Sequence, residues 1–187
     1  MLVKDIDPGT GSSDPAHLVT MGGKLFFAAN SDAGGTELWV SDGTPDGTRQ
    51  LPDIREGRFG SAPRDLTVVG ETLFFTADDD VHGRELWKYY KERPDGTEIV
   101  KIVEDLTTGR SNSTLSDLTA VGRTLFFWFG NELWKSDSIS GETRPVEVTE
   151  RPAVTIRKPQ LTTSMTSFQG KLFFNATDDE HGEELWM

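Results

Sequence analysis

One histidine and two aspartates stand at matching places in a repeating chain. His17, Asp65 and Asp117 open the short runs HLVTM, DLTVV and DLTAV, and Ser164 opens the matching SMTSF. A histidine facing two carboxylates could act as a general base that they orient, or the group could hold a cation. Two positions further on, Val19, Thr67, Thr119 and Thr166 supply mostly hydroxyls for a ligand to meet. The plainer reading is that the aspartates cap local turns and His17 is an exposed side chain.

A second group gathers carboxylates. Three stretches, ANSDAGGTELW, ADDDVHGRELW and ATDDEHGEELW, collect acidic residues ahead of a glycine. Asp78, Asp80, Asp178 and Asp179 are the candidate ligands, because closely spaced hard oxygens suit Ca²⁺. None of the stretches has the spacing of an EF-hand loop, and acidic hairpin tips are also ordinary solvated turns. His82 and His181, next to glycine in these loops, read as surface residues.

Aromatic residues form a third group. KYYKERPDG places Tyr89, Tyr90, Lys91 and Arg93 together, and WFGN places Trp128, Phe129 and Asn131 at one hairpin tip. TIRKPQ adds the charges of Arg157 and Lys158. Such groups suit an apolar or sugar-like ligand in a groove, or they seal a core. No nucleophile elbow, phosphate loop, zinc-binding histidine pair or dinucleotide fingerprint occurs.

The elements that must position these residues repeat with a period of ~50 residues. LFF begins at Leu25, Leu73, Leu125 and Leu172, and ELW begins at Glu37, Glu85, Glu132 and Glu184. Each unit reads as four short strands. Strand A is the run just described, strand B carries LFF and strand C carries ELW. Strand D is TRQLPDI, TEIVKIV or TRPVEVT. In strand B, Leu73 and Phe75 share one face and Phe74 takes the other. Large apolar groups on both faces need cover on both sides, which radially packed blades provide.

The pattern predicts an all-β chain, a four-bladed β-propeller forming one domain over residues 1–187. Its units run over about 7–54, 55–103, 104–150 and 151–187. The fourth unit has no strand D after Trp186. MLVKDI resembles EIVKIV of the second unit, so Leu2 to Ile6 is expected to complete the fourth blade and close the ring. An open array is the alternative, and two chains sharing one eight-bladed ring is a variant. The recurring tryptophans are expected to fill gaps between blades, and the recurring ELW glutamates to accept backbone or hydroxyl hydrogen bonds.

The stretch ELWVSDGTPDGT at Glu37 to Thr48 resembles the signature of bacterial ELWxxDGT-repeat proteins, and its flanks LVKDIDPGTGSS and GGKLFFAANSDAGGTELW are similar to the rest of that repeat. The likeness runs along essentially the whole chain and weakens in the third and fourth units. It implies a propeller-like β repeat and carries no catalytic motif. A four-bladed ring is also similar in architecture to hemopexin-like domains, an analogy of fold alone.

Composition narrows the partners. The 31 acidic residues against 19 basic ones give a charge of −12, and no basic stripe exists to pair with phosphates, so neither nucleic acid nor an anionic membrane surface is expected. No apolar run is long enough to span a bilayer, and the first residues lack the pattern of a signal peptide, so a complete chain of this kind would be soluble and cytoplasmic. The absence of cysteine excludes disulfides and thiolate chemistry. The expected function is a propeller, monomeric or dimeric, that binds a small molecule or protein ligand at its channel mouth or on one face. Its alternatives are a cyclase, isomerase or lyase without an organic cofactor, and a purely structural module.

Overall fold

The computed structural model describes residues 1–92, 94–147, 155–160 and 163–187. The described residues form fifteen strands and no helix, so none is long and apolar enough to cross a membrane. The chain divides into two compact units, Met1–Ser113 and Thr114–Met187, with the division just ahead of the third A strand.

The first unit holds two antiparallel sheets. The first consists of β1 (Ala16–Met21), β2 (Lys24–Ser31), β3 (Gly35–Ser41) and β4 (Arg49–Gln50), in that order. The second consists of β5 (Arg64–Val69), β6 (Thr72–Asp78), β7 (Arg84–Lys91) and β8 (Glu98–Glu104). In the second unit, β9 (Leu115–Val121), β10 (Thr124–Phe129), β11 (Glu132–Asp137) and β12 (Thr143–Pro145) make a third sheet of the same order. The fourth sheet has three strands, β13 (Met165–Phe168), β14 (Lys171–Asp178) and β15 (Gly182–Trp186). Strands A, B and C therefore lie where the repeat places them in all four units.

Register follows the repeat as closely as strand order does. The third residue of each LFF faces the tryptophan of its ELW across the ladder, as Phe27–Trp39, Phe75–Trp87, Phe127–Trp134 and Phe174–Trp186. The pairing survives in the third sheet despite its short loop, because Gly130 takes φ +58 and turns the chain tightly.

Both faces of the strands are used within each unit. Phe26, Leu38 and Val40 of the first sheet pack on Leu73, Phe75, Trp87 and Tyr89 of the second. On the other face of the first sheet, Phe27, Ala29 and Trp39 cluster with Ile6 and Leu25. In the second unit, Phe126, Trp128 and Leu133 pack on Leu172, Phe174, Ala176 and Trp186. The middle Phe of one LFF thus meets the outer pair of the next, which is how one motif serves two interfaces.

The ELW glutamates are structural in the first unit. Glu37 is 1% exposed and accepts the Ser61 backbone N–H at 2.7 Å and the Ser61 hydroxyl at 2.6 Å. Glu85, fully buried, accepts the Ser113 hydroxyl at 2.5 and 2.6 Å and the Leu106 N–H. Each carboxylate thereby ties strand C to the segment that enters the next A strand. Burial pushes Glu37 from 4.5 up to about 7 despite the Ser61 bonds. The folded chain therefore holds this proton at pH values where the unfolded chain has lost it, so stability falls as pH rises from about 4.5 to 7. One such proton gives a slope of at most ~1.4 kcal/mol per pH unit. Urea denaturation across that range is expected to show the slope in the native protein and a flatter profile in Glu37→Gln; an equal slope in both would contradict the assignment.

Two expectations need correction. Leu2 to Ile6 forms no strand and joins neither sheet of its own unit. Instead the Lys4 ammonium bonds the carbonyl oxygens of Pro45 and Thr48, and Ile6 packs against Phe27 and Trp39, which holds the segment on the first sheet. Strand D is also shorter than expected in two units: β4 spans two residues before Pro52, and β12 stops at Pro145, where proline has no N–H to donate. The remainder of the third strand D and much of the segment leading into β13 fall outside the described residues.

Candidate functional site

The A strands set the positions of the proposed catalytic residues. In three of the four sheets the register between strands A and B shifts by a bulge. His17, Asp65 and Asp117 are the bulged residues, with φ of 56°, 57° and 57°. Left-handed backbone is costly for most side chains, and Asp and His are among those found there most often. The recurrence of these residue types therefore has a backbone cause.

The carboxylates are also engaged locally. Asp65 accepts the Thr76 hydroxyl at 3.0 Å. Asp117 accepts the Thr163 and Ser116 hydroxyls and lies 4.0 Å from the Lys158 ammonium. The His17 side chain is exposed and has no hydrogen-bond partner among the described residues. β1 runs beside β5, so His17 and Asp65 occupy equivalent places on neighbouring strands, while Asp117 belongs to the second unit. Thr67 and Thr119 turn their hydroxyls back to the carbonyls of Asp65 and Asp117. The Ser164 N–H donates to Asn175, and Thr166 is exposed.

The calcium candidates have other partners. Asp78 and Asp80 face Arg55, and Asp80 also faces Arg110. Asp179 is paired with Arg157, a residue expected to meet a ligand. Asp178 accepts the N–H groups of Glu180 and His181 and the His181 ring, which hold its carboxyl at about 2. Asp79 does the same for Val81 and His82. Burial opposes its ionisation, but the His82 bonds outweigh it and keep Asp79 below its ordinary range. In both loops the histidine three residues after the aspartate fixes the turn, a role legible in the shared spacing D-x-x-H-G. No group of three metal-binding side chains occurs among the described residues.

The aromatic candidates separate. Trp128 is fully buried against Phe174 and is closed to a ligand. Phe129 meets Trp134 edge-on. Tyr90 lies under the ammonium groups of Lys88 and Lys101, at 5.4 and 5.7 Å from its ring centre. Tyr89, on the opposite face of β7, reaches a cavity.

That cavity, of about 610 Å³, lies wholly within the first unit between its two sheets. Met21, Lys24, Phe26, Tyr89, Lys91 and Pro94 are among its lining residues. Phe26 and Tyr89 are in contact, with ring centres 5.1 Å apart and planes at 51°. The Tyr89 hydroxyl donates to Glu98 at 3.1 Å, and burial raises its pKa well above the usual phenol value, so the ring is a neutral, anchored surface. Glu98 also accepts from Arg49 and lies 3.6 Å from Lys91. Lys24 makes no ion pair within 4 Å among the described residues, but its charge acts on Asp42. Reading the sequence alone missed Met21, Lys24 and Phe26, because a cavity between two sheets has no linear signature.

No protein-family model matches the chain, and no curated protein does. A crystal structure of the tricorn protease is similar with a TM-score of 0.48 at 12% identity, over 92% of this chain. The match spans only 22% of that protein's chain.

Proposed function

We propose that the four sheets are blades of a β-propeller of the ELWxxDGT-repeat kind and that the protein binds a small aromatic carboxylate in the cavity between the first two. The observation that carries the binding reading is the cavity itself. Its volume falls in the range of small-ligand sites, and its lining sets apolar Met21, Phe26, Tyr89 and Pro94 beside charged Lys24, Lys91, Glu71 and Glu92. A planar ring would lie at the edges of Phe26 and Tyr89, and its carboxylate would meet the ammonium of Lys24, whose charge also acts on Asp42, and of Lys91, on the side away from Glu71 and Glu92. Three observations support the blade reading. Strands run from A to D in three sheets and from A to C in the fourth, A strands lie side by side within each unit, and each unit packs unlike faces together.

Ligand-observed NMR with a panel of aromatic carboxylates and their neutral amides tests the binding reading. Carboxylates are expected to bind more tightly than the amides, and Lys24→Ala to weaken them by about tenfold, the effect of one lost charged hydrogen bond. The melting curve of that variant should stay unchanged. Equal binding of acid and amide, or full affinity in Lys24→Ala, would overturn the assignment.

A further inference from the structure

The cavity between the first two sheets carries charge of both signs, and the signs are divided between its walls. Lys24, at the head of β2, belongs to the first sheet. Glu71, in the turn between β5 and β6, and Glu92, just past the end of β7, belong to the second sheet and line the same space. The Glu92 N–H donates to the Thr97 carbonyl and the Gly96 N–H to the Glu92 carbonyl, which fixes the hairpin that presents Glu92. Lys91 stands beside Glu92 but lies 3.6 Å from Glu98, which partly neutralises it. Lys24 is left as the cation with no ion pair within 4 Å among the described residues.

The carboxylates restrict what the cavity can hold. A ligand whose only charge is a carboxylate meets Lys24 but faces an uncompensated repulsion from Glu71 and Glu92. The chain's charge of −12 also opposes its approach. An ammonium group one carbon away from the ligand's carboxylate turns the repulsion into attraction and leaves the ligand neutral overall.

We infer, resting on the aromatic-carboxylate reading above, that the ligand is a free aromatic α-amino acid, with its carboxylate at Lys24 and its ammonium at Glu71 and Glu92. Met21, Phe26 and Tyr89 supply the apolar wall for its ring. The first residue of a peptide brings the ammonium without the carboxylate, and the last residue brings the carboxylate without the ammonium. Only the free amino acid satisfies both walls.

Four probes separate these contributions. They are phenylalanine, 3-phenylpropionate without the ammonium, phenylalaninamide without the carboxylate, and N-acetylphenylalanine, which mimics the last residue of a peptide. Isothermal titration is expected to give phenylalanine an affinity about tenfold or more above each of the others, the effect of one charged hydrogen bond. In the double variant Glu71→Gln/Glu92→Gln, at two exposed positions, its advantage over 3-phenylpropionate should vanish. 3-Phenylpropionate should bind that variant at least as tightly as the native protein, which shows the cavity intact. Equal binding of phenylalanine and 3-phenylpropionate to the native protein, or an advantage that persists in the double variant, would overturn the inference and leave the aromatic-carboxylate reading standing. Failure of all four probes to bind, or tightest binding of phenylalaninamide, would overturn both.

Discussion

Phe75→Ala is expected to lower the unfolding free energy by about 3–5 kcal/mol, the usual effect of removing a buried aromatic ring. Phe75 has no exposed surface and lies on the face of the second sheet that meets Leu38 and Val40 of the first. It also opposes Trp87 across the ladder, so its loss leaves a void on two sides. Backbone-held strands leave little room for collapse, which keeps the cavity term large. Urea denaturation measures the effect. Phe168→Ala, at a side chain 58% exposed, is the control and should change stability by no more than ~0.5 kcal/mol. A similarly small change at Phe75 would contradict the packing of sheet on sheet.

Gly83→Ala is expected to destabilise by about 2–5 kcal/mol. Left-handed backbone at φ +73° costs an alanine roughly 1–2 kcal/mol, and forcing its methyl group against the Ser111 carbonyl adds about 1–3 kcal/mol. The obstacle is main chain, so no rotamer change relieves it. Gly182→Ala supplies the internal comparison, since it has nearly the same φ with open space around it. That variant should show the backbone cost alone. Equal losses at the two sites would mean that the close approach of the Ser111 segment has no energetic weight.

Much of the architecture could be read from the repeat. LFF and ELW alternate large apolar groups across a two-residue period, and that alternation fixed strands A to C and their register. The expected role of the ELW glutamates holds for Glu37 and Glu85, where a serine follows at the right distance. Glu132 instead accepts from its own Trp134, and Glu184 stands exposed. The candidate site was less legible. His17, Asp65 and Asp117 shared a position because a bulge needs residues that tolerate left-handed backbone, and a bulge is a property of pairing rather than of one strand. The acidic loops looked alike, yet arginines and loop histidines take up their carboxylates. Phe26 gave only a core signal, because its second role as a cavity wall depends on the sheet beside it.

A crystal structure of the protein with its tightest aromatic carboxylate tests the central claim most directly. The account predicts density in the cavity that Phe26 and Tyr89 help to line, with the carboxylate within hydrogen-bonding distance of Lys24 Nζ. A ligand seated elsewhere, or a cavity filled by the protein's own side chains, would contradict it.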